Sequence, residues 1–396
     1  MSTARQSTYD VIIVGGGVMG CSIAYNLIKS DNNLDVVIIE KDPTYRKAST
    51  LLSEGNIRVQ FNVKENIEMS LFGLKILSGF SEEMAVLNHK PDVNFRQQGN
   101  LFVVDKQNYK EAKRGFILQK TLGCKVEWLK PDQIHNYYPY YNLSDCLAAT
   151  YGSQDGTITP NAVLAGYKNK AVSLGVNLIT DTVSRIITKA DRVDGVKLDQ
   201  GYYISSNIVV NAAGAWAPKL ASTANVNLPI VPMKRQVTTI ESSLRPTNLL
   251  PAIFFSSGLY CFHEGQGVFT CARSRPDDLI TYDDFNWDSK LFEELLWKEL
   301  LEVIPEFDRL KVKNGWAGLY AQNTFDGNAI LGEWPKLKGF FLANGFSGHG
   351  LQQCHAVGRY ISELILHKTP LIDLSIFSPD RIIQNKPVYE GTSKII

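Results

Sequence analysis

The chain has 396 residues, and its 41 basic and 40 acidic side chains leave a net charge of +1 with no conspicuous run of one sign. That balance excludes nucleic-acid recognition by a basic surface, and the length suits two parts sharing a large core. The six cysteines, Cys21, Cys124, Cys146, Cys261, Cys271 and Cys354, are scattered without a C-x-x-C pair, which predicts reduced thiols and neither a disulfide framework nor a metal site.

The first element lies in DVIIVGGGVMGCSIAYNLIKS, residues 10–30, where no charge falls between Asp10 and Lys29. Such a run is long enough for a membrane span, and Arg5 would serve as the basic end of a leader. Gly15, Gly16, Gly17 and Gly20 interrupt it, however, and Tyr25 and Asn26 dilute it, so the apolar weight sits in Val11 to Val14. That is a short β-branched run of the kind buried in a parallel sheet, with a helix following over Cys21 to Ile28. Within the turn Gly15-x-Gly17-x-x-Gly20, Gly15 permits the tight bend, Gly17 admits a pyrophosphate to the backbone, and Gly20 lets helix and strand pack closely. Asp35 to Ile39 reads as a second buried strand, ending at Glu40, where an acid accepts hydrogen bonds from a ribose hydroxyl. Together these predict a dinucleotide site and not a membrane span. The first strand starts so early that no room is expected for a cleavable presequence, and the expected location is cytoplasmic, with or without peripheral contact to a membrane complex.

Further along, the pattern predicts a helix over Lys64 to Leu77, a strand over Gly99 to Val104, and helices over Tyr109 to Leu122 and Pro160 to Leu174, the last opened by Thr159 and Pro160. Ile208 to Val210 is another buried strand, followed by Asn211, Ala212, Ala213 and Gly214, small enough to let a ligand lie on the backbone. From Ile253 to Ala272 short alternating strands predict an antiparallel sheet. Gly345-Phe346-Ser347-Gly348-His349-Gly350 then opens a helix from Leu351 to about Leu366, with Cys354, Val357, Ile361, Leu364 and Ile365 on one apolar face. Its N-terminus would favour a neighbouring negative charge by up to about 2 kcal/mol. Three glycine-rich ends, near residues 15, 214 and 348, suggest one long ligand crossing several strand ends, which fits FAD better than a dissociable NAD. No repeat or low-complexity linker divides the chain.

The strings DVIIVGGGVMG, VVIIEKD, KASTLLSEGNIR, DGTITP, VVNAAGAW and GFSGHG, in this order, resemble the D-amino acid oxidase superfamily of flavoproteins, which includes sarcosine oxidases, glycine oxidase and dimethylglycine dehydrogenase. The resemblance spans nearly the whole chain. It implies an α/β fold with a Rossmann-type FAD-binding domain assembled from residues 1–85, 148–225 and 325–396. An α+β substrate domain with a mainly antiparallel sheet would come from residues 86–147 and 226–324. It further implies that Gly15, Gly17, Val18, Met19, Gly20, Glu40, Lys41, Ser49, Thr50, Val183, Ala213, Gly214 and Trp216 hold the nucleotide. Gly345, Ser347, Gly348, His349, Gly350 and Leu351 would sit at the isoalloxazine. In family terms the reaction is hydride removal from a carbon next to nitrogen in an amine or amino acid of the N-methyl or secondary type. Candidate catalytic residues are His349, Tyr260, Arg58 and Gln352.

Several positions depart from the family pattern. Where relatives attach flavin covalently, this chain has Leu52 and Gly318, which predicts non-covalent FAD. An arginine expected two residues after Tyr260 is Phe262, a lysine expected after the GHG loop is Gln352, and the lysine that promotes reaction with oxygen is replaced near Thr270. The resemblance therefore implies other substrate anchors, with Arg58, Arg235 and Arg273 as candidates. It also implies slow reaction with oxygen, so that a quinone or a protein partner accepts the electrons. Some roles stay open: Tyr260 as pocket wall or core, His349 as a flavin or substrate contact or a helix cap, and Arg58 as a clamp or a structural ion pair. Trp316 and Tyr320 are similar cases, whereas His263, out of phase with Tyr260 and Phe262, is expected on the opposite face of its strand. The alternative function is a flavin-containing assembly or scaffold protein for a respiratory complex, which the missing anchors and a resemblance to one branch of the family suggest.

Overall fold

The computed structural model describes residues 7–391, so Arg5 lies outside the described residues. Two sheets organise the chain. The six-stranded sheet runs in the order Ile330–Glu333, Phe340–Asn344, Val209–Asn211, Val11–Val14, Val36–Glu40, Asn177–Thr180. All its neighbours are parallel except the first pair. Val11 to Val14 and Val36 to Ile39 are buried on both faces, as β-branched runs in a covered parallel sheet must be. Each such side chain contributes about 1.5–3 kcal/mol.

The eight-stranded sheet runs Leu310–Asn323, Ile230–Ser242, Val268–Arg273, Leu259–Gly265, Ala252–Phe254, Asn100–Val104, Ala148–Gly152, Val126–Leu129. It is antiparallel apart from the pairing of Ala252–Phe254 with Asn100–Val104. Its strands come from two separated stretches of chain, so the two sheets are interwoven in sequence. The division drawn from the sequence places residues from 148 onward with the nucleotide-binding part. Ala148–Gly152 instead pairs in the eight-stranded sheet, between two strands of the intervening segment.

The helix that follows the glycine turn spans Val18–Ser30, beginning three residues before the expected Cys21. The helix after the GFSGHG loop spans Gly350–Ile365. Sequence periodicity predicts one apolar face for it, but it is buried nearly all round, with Arg359 its one exposed position. The reason lies in its neighbours, since it packs against both Val18–Ser30 and Lys64–Leu77. Its polar residues find partners on surrounding helices: Gln353 Nε2 donates to Asn66 Oδ1 on Lys64–Leu77 at 3.0 Å, and His355 Nδ1 meets the Tyr167 hydroxyl on the helix Pro160–Ser173 at 2.7 Å. Burial pushes the His355 imidazole down to about 3, which keeps it neutral. Ser22 Oγ donates to the Cys354 carbonyl at 2.8 Å, and a Cβ on Gly358 would stand 2.0 Å from Ser22 Oγ. Among the described residues no helix is long and apolar enough to cross a membrane.

Candidate active site

A cavity of about 460 Å³ opens between the C-terminal ends of the parallel strands and one face of the eight-stranded sheet. Open α/β sheets bind ligands at such strand ends. Gly15 holds φ at +105°, and a Cβ there would stand 2.4 Å from the Ala212 carbonyl oxygen, so the turn between neighbouring parallel strands admits only glycine. A Cβ on Gly20 would meet the Gly15 carbonyl at 2.0 Å, which is the close helix-to-strand approach the motif requires. Gly16 N–H donates to Glu40 Oε2 at 2.7 Å and Asp42 N–H to Oε1 at 2.8 Å. Glu40 thus braces the glycine turn, while the remaining lone pairs of its carboxylate stay available to a ribose.

Two helix N-termini open onto the cavity, those of Val18–Ser30 and Gly350–Ile365. Thr50 Oγ1 accepts from Val18 N–H at 3.3 Å at the first, and no side chain caps the second. Gly348, at φ +96°, brings the backbone against Tyr320, whose ring a Cβ would meet at 2.5 Å. Ser347, itself at φ +49°, accepts from Asn323 N–H at 3.0 Å, so the loop is pinned to the end of the long strand Leu310–Asn323. Lys41 Nζ lies 3.3 Å from the centre of the Trp216 ring, and burial holds its pKa below the usual lysine range. Two anion-favouring helix ends, glycines that bring backbone to the cavity wall, and an acid beside the turn fit a dinucleotide such as FAD.

Every residue expected to hold cofactor lines this cavity except Gly20 and Gly345. Gly20 stands behind the turn, and Gly345 faces Asn323 and Ile230, where its φ of +70° turns the chain. Ser49 lines the cavity while its hydroxyl donates to the Leu319 carbonyl at 2.6 Å, tying the two parts together. Gly318 and Leu52 face one another, with an added Cβ at 318 only 3.0 Å from the Leu52 Cβ.

At the end remote from the glycine turn the cavity meets an aromatic sheet face. Phe102 stacks on Phe254 at 4.4 Å, Phe254 and Phe262 meet edge to face at 5.6 Å, and Tyr260 and Phe262 do so at 5.5 Å. The Arg58 guanidinium packs 4.7 Å from the Phe61 ring centre and 5.3 Å from that of Phe102, and its Nη2 lies 3.1 Å from His349 Nε2. Because a guanidinium only donates, His349 accepts at Nε2 and carries its proton on Nδ1. Burial lowers the Arg58 pKa to about 10, opposed by Glu390 and Asp155. Gln352 Oε1 accepts from the Arg58 backbone N–H at 2.9 Å, so it positions that residue as well as lining the cavity.

Of the three candidate cations, Arg58 and Arg235 line the cavity and Arg273 does not. Arg235 is ion-paired with Asp278 and donates to the Arg275 carbonyl at 2.8 Å, and Arg273 is ion-paired with Glu299. His263 is turned away from the cavity, where its Nδ1 accepts from Leu250 N–H at 3.1 Å and its ring stacks on Phe269. Cys261 and Cys271, opposite one another on paired strands, bring their sulfurs to 3.0 Å, a proximity their spacing in sequence does not reveal.

Sequence reasoning missed Glu54. It lines the cavity together with Tyr260, and its buried Oε1 has no hydrogen-bonding partner. Burial pushes its carboxyl up to about 7, against the lowering effect of the Tyr260 and Thr270 hydroxyls. The one signal was an acid inside the string LLSEGNI, where its neighbours are apolar, small or neutral.

A family model described as FAD dependent oxidoreductase matches residues 10–364, and the chain belongs to that family. It is 36% identical over 420 residues to FAD-dependent oxidoreductase domain-containing protein 1 of Xenopus laevis, covering 96% of this chain and 84% of that protein. To mitochondrial sarcosine dehydrogenase of Mus musculus it is 26% identical over 383 residues, covering 93% of this chain and 41% of the longer relative. The solved structure of L-proline dehydrogenase from P. horikoshii superimposes with a TM-score of 0.85 at 25% identity, covering 97% of this chain and all of that one. The protein is an FAD-dependent oxidoreductase with the fold of these flavoproteins, related to enzymes that oxidise amines and amino acids.

Proposed function

We propose that the protein is a dehydrogenase of secondary or tertiary amines, including N-methyl amino acids, that delivers electrons to a quinone or protein acceptor and not to oxygen. The observation that carries this reading is the single cavity that runs from the glycine turn and Glu40 to the aromatic face of Phe254, Tyr260 and Phe262. A dinucleotide laid along it would present its reactive ring to that aromatic wall. Two similar proteins are named for oxidising sarcosine and L-proline, both secondary amines.

When bound, FAD accepts a hydride equivalent from the carbon next to nitrogen. The chain's own part is to place and polarise. The uncapped N-terminus of Gly350–Ile365 favours negative charge at the cavity wall, worth up to about 2 kcal/mol. For a two-electron couple that is roughly 40 mV. Arg58 and His349 form a hydrogen-bonded pair at the same wall, positioned by Gln352, and offer a cation to a carboxylate-bearing substrate. Leu52 and Gly318 supply no nucleophile, so FAD is held without a covalent bond, and acid precipitation should release all of it into the supernatant. The lysines lining the cavity are Lys41, Lys47 and Lys219, none of them on the eight-stranded sheet. Reaction with oxygen transfers negative charge to it, and Thr270 beside Glu54 offers no fixed cation to stabilise that charge.

The test is anaerobic mixing of the purified flavoprotein with sarcosine, dimethylglycine, proline, glycine and larger secondary amines. Loss of the long-wavelength band of oxidised flavin with one of them, and slow return in air, is the expected result. A flavin that none of them bleaches, in a protein that co-purifies with a respiratory complex, would favour an assembly role. Rapid peroxide formation would contradict the proposed acceptor.

A further inference from the structure

Glu54 is an acid placed where a core has no use for one. It precedes the short strand Asn56–Ile57, and the surface it shows is turned into the cavity. Protein surrounds it otherwise, and Oε1 is buried with no hydrogen-bonding partner. The hydroxyls of Tyr260 and Thr270 adjoin the carboxyl, and the charge bearing on it from Glu264, on the same strand as Tyr260, has its own sign. Arg235, the cation on that side of the cavity, is already joined to Asp278. A carboxylate buried in this state is unfavourable unless it takes up a proton or a cationic partner arrives.

The walls around it suit a cation. Phe254, Tyr260 and Phe262 line the cavity with it, and Phe254 also adjoins the Arg58 guanidinium at 5.9 Å from ring centre to charge. Aromatic faces beside a carboxylate attract an ammonium by its charge and by the ring quadrupole together.

We infer that Glu54 receives the positively charged nitrogen of the substrate, so that this end of the cavity selects protonated amines by their cation. The inference rests on the amine reading above and sharpens it: an uncharged or purely anionic substrate would be excluded. A carboxyl retained only for packing would be replaced by its neutral isostere without consequence for ligands. Before hydride leaves, the ammonium must lose a proton, and Glu54 Oε1 can take it, the N–H bond breaking and an O–H bond forming while the electron pair stays on nitrogen. Its carboxyl, raised to about 7, is suited to that exchange near neutrality.

The experiment uses the holoprotein and an inert cation. The spectrum of the bound flavin is followed while tetramethylammonium chloride, sodium acetate or sodium chloride is added at equal ionic strength. Tetramethylammonium should perturb the spectrum with saturation, acetate and sodium chloride should not, and E54Q should weaken the effect about tenfold or more. E54D, which keeps the charge, should restore part of it. In the wild type alone, affinity should fall as pH is lowered from about 8 to about 6, because the ligand does not titrate and Glu54 does. Tyr260 and Tyr320, pushed upward by burial, stay neutral across that range, and Glu264 is paired with Arg96. This wild-type measurement decides the matter should E54Q lose its flavin. Unchanged binding in E54Q, no pH dependence, or a response to acetate in place of the cation would each overturn the inference. If no amine in the panel reduces the flavin yet the Glu54-dependent cation effect is present, the amine-dehydrogenase reading fails and the cation site stands.

Discussion

Asp326 and Glu54 both carry buried carboxyls, one in the network that holds the GFSGHG loop and the other at the cavity wall, and they are treated in opposite ways. The side chain of Asp326 has no exposed surface, yet all its needs are met. Arg381 donates from Nε to Oδ2 at 2.7 Å and from Nη2 to Oδ1 at 3.1 Å, a two-point grip. The Asn323 amide donates to Oδ1 at 2.9 Å, and Asn323 N–H in turn holds Ser347. Arg381 spends its other donors on the carbonyls of Phe377, at 2.6 Å, and Ala329, at 2.8 Å. Glu54 has neither a cation nor a formed hydrogen bond at Oε1. A saturated network of this kind fixes a loop in place, whereas an unsaturated acid facing a cavity is poised for a ligand.

The largest effect should come from breaking the saturated acid's network. R381L leaves the Asp326 charge buried and unpaired, and we expect a loss of about 3–5 kcal/mol in denaturant unfolding. G348A strains the loop that this network holds, at φ +96° and against the Tyr320 ring, and should remove about 2–4 kcal/mol. Flavin retained through gel filtration would report it, and an unchanged flavin content would show that the loop adapts.

Replacing the unsaturated acid should act in the other direction. Glu54 in the folded protein titrates at about 7, above the usual 4.5, so the folded state prefers it neutral. Its contribution to stability is fully present below the ordinary carboxylate range and is lost as pH rises through about 7. Glutamine does not titrate. E54Q should therefore raise stability by up to about 3 kcal/mol at pH 8 and by little near pH 4. A melting-temperature difference independent of pH would contradict this. Asp155, also pushed up to about 7 by burial, is common to both proteins and cancels from the difference. The smallest effect is expected for Q352A, which removes the hydrogen bond to the Arg58 backbone and should cost about 1 kcal/mol.

Local signals read well and long-range ones did not. Gly15, Gly20 and Glu40 are legible because one strand, one turn and the next strand set their geometry within a short span. The helix after the GFSGHG loop matches its expected ends to within a residue, but its burial is not legible locally, because its polar residues satisfy partners on helices far away in sequence. Glu54 lies inside a string that carries the family resemblance, where no neighbouring residue distinguishes it. Its meaning comes from Tyr260 and Thr270, more than two hundred residues on and brought over it by the sheet. Arg235 and Arg273 looked alike in sequence, and only their partners Asp278 and Glu299 separate a cavity wall residue from a remote ion pair.

The measurement that tests the central claim most directly is the anaerobic single-turnover rate of flavin reduction by the best amine of the panel, with ordinary hydrogen or with deuterium on the carbon next to nitrogen. If hydride leaves that carbon in the cavity described here, deuterium should slow the loss of the flavin band severalfold. Reduction at the same rate with either isotope, or no reduction by any amine, would contradict the account.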